Sequence, residues 1–383
     1  MKKILYISRF GVNETAPGMR VLRVGKVLQQ SGFRVQFMCV DIVRDIVDLC
    51  ESKEKYITPQ QYFYGLKKHF TIIDTLTGRI SLHFIKRQIK RDKPDIIIIY
   101  NDIGHITKKL IPICNKLQIK LGADVTEWYD TTVKSSRERY IAKCVDNRIR
   151  NIDPKLDFII AVSPYLEDYY RSKNCRVYWI PPLMEKIGQP FFNASTHLDG
   201  KKLRIGYAGN AGQKDLLEPI IEAAERLNTE EIAVQFDLIG VSEAEVKAML
   251  KVKEYEHSGI KAYGRLCHED ALSILEKVDY TILLRKNLRY AKAGFSTKFS
   301  ESLSLGVPVI CNRVGGADKL LENTKAGVLM STYNSEELEQ CIKRLMSLDD
   351  EKYLESKKAA LSLATQYFSL QRYIKFYGER NGT

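Results

Sequence analysis

A short stretch near residue 300 combines the residue types that could hold a nucleotide carrying a sugar diphosphate. A turn, Gly-Phe-Ser-Thr-Lys at 294–298, leads into a predicted helix that carries Lys298 and Glu301. Backbone amides at a helix start and a neighbouring lysine suit phosphates. A carboxylate one turn later suits ribose hydroxyls, as acidic residues do in dinucleotide folds. The stretch predicts nucleotide-sugar contacts from Thr297, Lys298 and Glu301; the alternative is a helix–strand unit with ordinary surface charges.

Two more basic side chains follow predicted strands in the same half of the chain. Lys214 comes after the turn Gly209-Asn210-Ala211-Gly212 and before a predicted helix. Arg285 directly follows a strand at 281–284, at the carboxyl end where open parallel sheets bind ligands. We expect Gly209, Asn210, Lys214 and Arg285 to face a diphosphate, whose charge the two cations would stabilise as it departs. Solvated or carboxylate-paired side chains are the alternative.

Acids and aromatics cluster after a predicted strand in the first half, in Asp124-Val125-Thr126-Glu127-Trp128-Tyr129-Asp130. Aromatic faces pack on sugar rings, and a carboxylate there could orient or deprotonate an acceptor hydroxyl. We predict Glu127, with Asp124 second, on the acceptor side of catalysis. A helix-capping cluster is the alternative.

A glycine-containing loop, residues 11–18, precedes the first predicted helix. Glycines such as Gly18 let the backbone approach a ligand closely because they have no Cβ. Donor contacts are therefore predicted here, with Arg20 pointing toward the same ligand. A plain strand–helix loop is the alternative.

The overall charge favours an anionic partner. The 383 residues include 60 Lys and Arg against 47 Asp and Glu, a formal net charge of +13. A nucleotide, a nucleic acid or an anionic membrane face would fit. Nucleic acid is disfavoured because the chain has no recognisable binding motif.

Metal and cofactor signals are weak in the sequence. No Asp-x-Asp stands in a suitable apolar context, and Asp349-Asp350 is interpreted as a helix cap. We therefore expect no metal and no cofactor, with the nucleotide sugar as substrate. The eight cysteines show no CxxC spacing, which indicates reduced thiols in a cytoplasmic protein. No apolar run reaches the roughly 20 residues that a membrane span needs.

Positioning these residues requires two α/β halves. Strand-like and helix-like segments alternate in 1–184, pause in a weakly periodic linker at 185–202, and alternate again in 203–366. Such alternation predicts two doubly wound parallel sheets. A final helix at about 367–383 would pack back on the first half.

Several motifs together resemble one enzyme family. They are Pro17-Gly18 with Arg20, Gly32-Phe33-Arg34-Val35, Ile180-Pro181, Gly206-Tyr207-Ala208-Gly209, Tyr263-Gly264-Arg265 and Glu301-Ser302-Leu303-Ser304-Leu305-Gly306-Val307-Pro308-Val309-Ile310. The chain resembles the retaining GT-B glycosyltransferases of family GT4, in a subgroup with a Thr-Lys-Phe-x-Glu signature. It departs from the family pattern at Ala293, where a first glutamate would stand, and at Asn210, near the position of a family arginine.

The resemblance implies two Rossmann-like domains facing across a cleft and a metal-independent hexosyltransferase. It also implies a UDP- or GDP-sugar donor and a glycan or lipid-linked acceptor in surface polysaccharide biosynthesis. A UDP-sugar epimerase of the same fold and a non-catalytic nucleotide-sugar binding protein are the alternatives.

Two basic amphipathic segments, 83–93 and 134–150, are typical of helices that lie on anionic membranes. A peripheral position at the inner face of the membrane is therefore one expectation, and a solvated helix face is the other.

Overall fold

A computed structural model describes residues 1–8, 16–39, 46–48, 77–130, 135–188, 202–209, 215–251 and 254–374. The chain divides into two compact units. One consists of Met1–Leu183 with Leu370–Thr383, and the other of Met184–Ser369. The predicted contacts Asn210 and Lys214, most of the loop at 11–18 and the segment from 375 onward lie outside the described residues.

The first unit contains a seven-stranded sheet with the order β3-β2-β1-β4-β5-β6-β7. Only β3 runs antiparallel to its described neighbour. The strands are β1 (Lys3–Ser8), β2 (Arg34–Cys39), β3 (Ile46–Asp48), β4 (Ile96–Tyr100), β5 (Lys120–Val125), β6 (Phe158–Ala161) and β7 (Val177–Trp179). The helices are α1 (Ala16–Gln30), α2 (Arg79–Asp92), α3 (His105–Leu117), α4 (Ser136–Asn147) and α5 (Pro164–Arg171), with a π-helical turn at Arg148–Ile152 and a 3-10 turn at Asp153–Lys155.

Helices cover both faces of this sheet because its central strands are apolar throughout. On one face, Val21, Val24 and Leu28 of α1 pack on the sheet together with Leu370 and Tyr373 from the end of the chain. On the other face, α2 and α3 pack against alternate residues of the same strands. The continuous apolar run in β4 is what a strand buried on both sides requires.

The first helix begins earlier than its apolar pattern indicates. The predicted start was Met19, but α1 begins at Ala16, and Gly18 is a buried residue of its first turn. Pro17 explains the difference. A proline in the first helical turn already has a helical φ, and the N–H that it lacks would have no hydrogen-bond partner there. The expectation that Gly18 belongs to a loop is therefore wrong.

The second unit contains a six-stranded parallel sheet with the order β10-β9-β8-β11-β12-β13. Its strands are β8 (Leu203–Ala208), β9 (Val234–Ile239), β10 (Ile260–Gly264), β11 (Tyr280–Leu283), β12 (Val309–Asn312) and β13 (Gly327–Met330). The helices are α6 (Glu218–Leu227), α7 (Glu243–Met249), α8 (His268–Leu275), α9 (Arg289–Ala293), α10 (Thr297–Ser304), α11 (Ala317–Leu321), α12 (Ser335–Met346) and α13 (Asp350–Tyr367), with a 3-10 turn at Tyr255–His257.

Both sheets reverse their winding direction next to their first strand. In the first sheet, successive strands extend outward from β1 to β3 on one side and from β4 to β7 on the other. In the second sheet they extend from β8 to β10 on one side and from β11 to β13 on the other. The carboxyl ends of strands at such a switch point form the crevice where these folds bind ligands. The prediction of two doubly wound Rossmann-like units is confirmed.

A predicted helix from residue 215 starts later, at Glu218. Asp215 instead forms an isolated antiparallel bridge with Arg285, and the Leu216 amide donates to the Leu284 carbonyl at 2.8 Å. This pairing holds Asp215 beside the end of β11, so it cannot join the helix.

The cap predicted at Asp349 is confirmed, since its side chain accepts from the Lys352 amide at the start of α13. No helix in the described part of the chain is long and apolar enough to cross a membrane.

Candidate functional site

The Asp215 carboxylate gathers two cations at the switch point of the second sheet. Arg285 Nε donates to Asp215 Oδ1 at 2.8 Å, and Lys298 Nζ forms an ion pair with Oδ2. The Tyr207 hydroxyl also donates to Oδ2, at 3.3 Å. Two cations predicted as diphosphate contacts therefore lie at one place, although 13 residues separate them in the chain. We call Asp215, Arg285 and Lys298 the cation cluster.

Arg285 is fixed by its backbone as well as by its guanidinium. The Arg285 amide donates to Asn312 Oδ1, and Asn312 Nδ2 donates back to the Arg285 carbonyl, each at 2.8 Å. Nη2 lies 3.4 Å from Ser296 Oγ. Asn312, the last residue of β12, therefore holds the Arg285 backbone, while Asp215 and Ser296, the residue before α10, contact its guanidinium.

Lys298 fits closely against the end of β8. Its Nζ lies 4.9 Å from the centre of the Tyr207 ring, a cation–π distance. Gly209 has φ +155°, and a Cβ there would collide with Lys298 Nζ and Cε. Gly209 thus leaves room for the lysine, and the direct donor contact that the sequence predicts for Gly209 stays a prediction.

Burial and charge perturb these groups in definite directions. Burial alone would raise the pKa of Asp215, but Arg285 and Lys298 outweigh it and lower that pKa below its ordinary value. Burial lowers the pKa of Lys298, and Asp215 opposes the shift only in part. With one anion and two cations, the cluster keeps a formal excess of one positive charge.

The start of α10 borders the cluster. Thr297 is its first residue, and Ser296 caps it by accepting from the Phe299 amide at 3.4 Å. Glu301 lies one turn further, with Oε1 3.9 Å from His268 Nε2 and 21% of its side chain exposed. Lys298 and Glu301 are therefore neighbours on one helix, as the sequence predicts.

In the first unit, Asp124 and Arg20 form a buried ion pair. Arg20 Nη2 lies 2.6 Å from Asp124 Oδ1, and Tyr6 OH donates to Oδ2 at 2.5 Å. Arg20 also donates to the Ile180 carbonyl at 2.9 Å. Asp124 is fully buried. Both side chains are predicted ligand contacts. In the structure their hydrogen bonds connect β5 to α1 and α1 to the segment after β7.

Glu127 occupies a different environment from Asp124. It is half-buried and accepts a hydrogen bond from the Tyr129 hydroxyl. Trp128, which lies between Glu127 and Tyr129 in the chain, is buried, and its Nε1 donates to Asp146 at 2.8 Å. Glu127 is therefore the more accessible of the two predicted acceptor-side carboxylates.

The sequence did not reveal Asp215, Asn312 or Tyr207. The sequence pattern predicts Asp215 as the first residue of a helix, and its observed partners are 70 and 83 positions away. The only local signals are the carboxylate of Asp215 and the side-chain amide of Asn312, each near a strand end. The same residue types occur at ordinary helix caps and turns.

Most of the second unit is similar to a known protein family. Residues 188–362 match the model described as "Glycosyl transferases group 1". This part of the chain is therefore similar to the glycosyl transferases group 1. The cation cluster and Glu301 all lie inside it, whereas Arg20, Asp124 and Glu127 lie outside the matched residues.

Solved structures show the same fold over the whole chain. Sucrose-phosphate synthase from Thermosynechococcus elongatus aligns with a TM-score of 0.71 at 15% identity, covering 100% of this chain and 98% of that one. Anabaena HepE, solved in complex with UDP-glucose, aligns at 0.64 and 14%, covering 100% of both chains. A glycosyltransferase from Rickettsia africae aligns at 0.65 and 14%, covering 99% and 98%. No curated protein matches the chain.

These similarities confirm the predicted GT-B class for the fold of the chain. At such low identity they carry the fold alone.

Proposed function

We propose that the protein is a retaining glycosyltransferase of the GT4 type, which moves a hexosyl group from a nucleotide diphosphate to a glycan or lipid-linked acceptor in surface polysaccharide assembly. The cation cluster at the switch point of the second sheet is the observation that carries this proposal. Arg285 and Lys298 converge there inside the segment that matches the glycosyl transferases group 1 model.

In the proposed reaction the cluster binds the donor diphosphate and stabilises it as a leaving group. A departing diphosphate carries roughly two negative charges and needs preorganised cations and dipoles near its oxygens. Arg285 can offer a planar set of donors, while Lys298 offers a compact charge. The amides at the start of α10 add a positive helix end. Lys214 is the third cation that we propose for the same phosphates.

Asp215 orients the two cations before the donor arrives. Its oxygens separate the tasks, with Oδ1 engaging Arg285 and Oδ2 engaging Lys298. Without this anion the two cations would repel each other in a largely buried setting. The remaining excess positive charge is then available to the diphosphate.

The proposal assigns two carboxylates to sugar hydroxyls. Glu301, one turn after Lys298, is proposed to accept from the ribose. Glu127 is proposed as the acceptor-side group, in preference to Asp124, because Asp124 is already saturated by Arg20 and Tyr6.

We propose UDP as the donor nucleotide, with GDP as the second choice. HepE has been solved with UDP-glucose, and Staphylococcus aureus TarM with UDP and a GlcNAc-glycerol. We also propose that transfer needs no metal ion, so that chelation by EDTA leaves the rate unchanged.

A two-stage experiment tests the function. Thermal stability is first measured with UDP, GDP and their sugars, because a ligand of the native state raises the melting temperature by mass action. Nucleotide release is then followed with and without candidate glycan acceptors. Acceptor-dependent release supports transfer. Sugar interconversion without an acceptor would show that the protein is an epimerase. Binding of the nucleotide sugar without turnover would show that it is a non-catalytic binding protein.

A further inference from the structure

A strongly basic face covers one side of the first unit. Helix α2 carries Arg79, Lys86, Arg87, Lys90 and Arg91 against a single acid, Asp92. Helix α3 carries Lys108, Lys109 and Lys116 and no acid. The two helices therefore present eight cations and one anion. We call them together the α2–α3 face.

The cations of α2 lie on the side that faces away from the core. Residues Ser81, Ile85, Gln88 and Ile89 are buried, while Arg79, Lys86, Arg87 and Lys90 are exposed. Arg79, Lys86 and Lys90 are seven and four residues apart and share one stripe of the helix, and Arg87 broadens this stripe on one side.

Helix α3 extends the same surface. Ile85 and Ile89 of α2 belong to the same apolar cluster as Ile106 and Leu110 of α3, and this cluster covers one face of the sheet. Because both helices are seated on that face, their outer sides point in the same direction. Lys108 and Lys116 are exposed on α3.

Few acids balance this charge among the residues that the structure describes. Arg91 pairs with Asp92 at 2.9 Å, and Lys109 donates to the Thr77 carbonyl. The second basic segment of the sequence differs, because in α4 Glu138 forms a capping box and Asp146 pairs with Arg150 at 2.9 Å. In the second unit, exposed lysines such as Lys325 and Lys343 have glutamate partners.

We propose that the α2–α3 face docks on an anionic lipid bilayer. Among the described residues this broad positive surface on two adjacent helices has few acidic partners, and it matches the extended negative charge of such a membrane. Exposed Leu117, at the end of α3, supplies one apolar side chain at the edge of the surface. The first unit would thereby be held at the membrane by charge rather than by insertion.

Flotation with vesicles tests this directly on the full-length protein. Vesicles of phosphatidylcholine alone are compared with vesicles that contain about one third phosphatidylglycerol, at 50 mM and 500 mM NaCl. Binding is expected only with the anionic lipid and is expected to fall at least tenfold at the higher salt, because the Debye length shrinks. Equal binding to neutral vesicles, or no binding at low salt, would overturn the proposal.

Matched charge reversals locate the surface. The variant K86E/R87E/K90E should bind anionic vesicles about 100-fold more weakly, since each basic residue contributes roughly a factor of five. The control K325E/K343E/K352E makes the same change of charge at exposed lysines of the second unit and should bind like wild type. Equal loss in both variants would assign the binding to net charge alone.

Two further measurements complete the test. If the α2 variant fails to fold, K108E/K116E on α3 replaces it, with a loss of about 25-fold expected. Binding to a 30-nucleotide RNA is measured in parallel with the vesicles. RNA that displaces the protein from vesicles and loses affinity in the same variants would assign the face to nucleic acid instead.

Discussion

At the scale of single residues, the Asp215 carboxylate allows two cations, Arg285 and Lys298, to lie close together at the end of one sheet. Its side chain is 3% exposed and that of Arg285 is 9% exposed, while the Lys298 side chain is 26% exposed. The arginine thus depends on its carboxylate partner, and the lysine retains access to solvent. We therefore propose that an incoming phosphate contacts Lys298 before Arg285.

Replacing Asp215 by Asn should lower stability and at the same time make the protein more responsive to nucleotide. Loss of a buried partner leaves Arg285 uncompensated and should cost about 3 kcal/mol. UDP should then raise the melting temperature of Asp215→Asn more than that of wild type, because its phosphates replace the missing anion. A smaller shift in the variant would show that Asp215 serves the ligand in another way.

The lowered pKa of Lys298 predicts an alkaline limit to donor binding. An ordinary lysine stays protonated until about pH 10.5, but burial makes Lys298 lose its proton earlier. Affinity for a diphosphate should therefore fall as pH rises, beginning below that value. Binding titrations of UDP between pH 7 and pH 10.5 measure it.

The matched variant for this prediction is Lys298→Arg, whose guanidinium stays charged throughout the range. Its affinity for UDP should decline less steeply with pH than that of wild type. An identical decline in both proteins would assign the titration to another group.

At the scale of elements, the site is assembled by loops that leave parallel strands at a switch point. The end of β8 provides Gly209, the end of β11 provides Arg285, and the start of α10 provides Lys298. Each position was visible locally in the sequence, because strand ends and helix starts have recognisable patterns. Their convergence was predicted only through the general rule for doubly wound sheets.

Other features of the site were not accessible from the sequence. The contact of Asp215 with Arg285 joins residues 70 positions apart, and local periodicity carries no information on such a pairing. In the first unit, Asp124 and Arg20 have the residue types of a ligand site. They are 104 positions apart in the chain and form a buried ion pair with each other. Residue type alone cannot distinguish a structural ion pair from a binding pair.

Replacing Gly209 by Ala should disturb Lys298 specifically. The new Cβ would collide with Lys298 and also disfavour the φ of +155°. We expect UDP affinity to fall about tenfold, equivalent to roughly 1.4 kcal/mol, in calorimetric titrations.

Gly32→Ala is the matched control, because Gly32 has φ +92° and no atom within 4 Å of an added Cβ. It should lose about 1–2 kcal/mol of stability through backbone strain and keep the wild-type affinity for UDP. Equal affinities in the two variants would remove Gly209 from the site.

At the scale of the whole molecule, the chain builds the same strand order twice without repeating its sequence. The order around β1 and the order around β8 agree, although the core side chains differ. Alternation of apolar strands and amphipathic helices was sufficient to predict this architecture. The end of the chain then returns to the first unit, where Leu370 and Tyr373 join its core and Ser31 Oγ donates to the Ile374 carbonyl at 3.3 Å.

Because of this return, Leu370→Ala should destabilise the first unit. Leu370 is buried, and deleting such a side chain costs about 2–5 kcal/mol. Hydrogen exchange should accelerate at amides of β1 and α1, while amides of β8 and β11 keep their protection. Leu266→Ala, at a side chain that is 37% exposed, is the control. Faster exchange confined to the second unit would contradict the assignment.

We propose that Arg285, together with Lys298, binds a sugar diphosphate at the end of the second sheet. Arg204 provides a matched control, because it also pairs with a buried aspartate, Asp237, at 2.7 Å, but near the opposite end of β8. Calorimetric titration of UDP into wild type, Arg285→Ala and Arg204→Ala tests the claim most directly. We predict that Arg285→Ala weakens binding about 100-fold, equivalent to roughly 2.8 kcal/mol, while Arg204→Ala stays close to wild type. Wild-type affinity in a folded Arg285→Ala protein would contradict it.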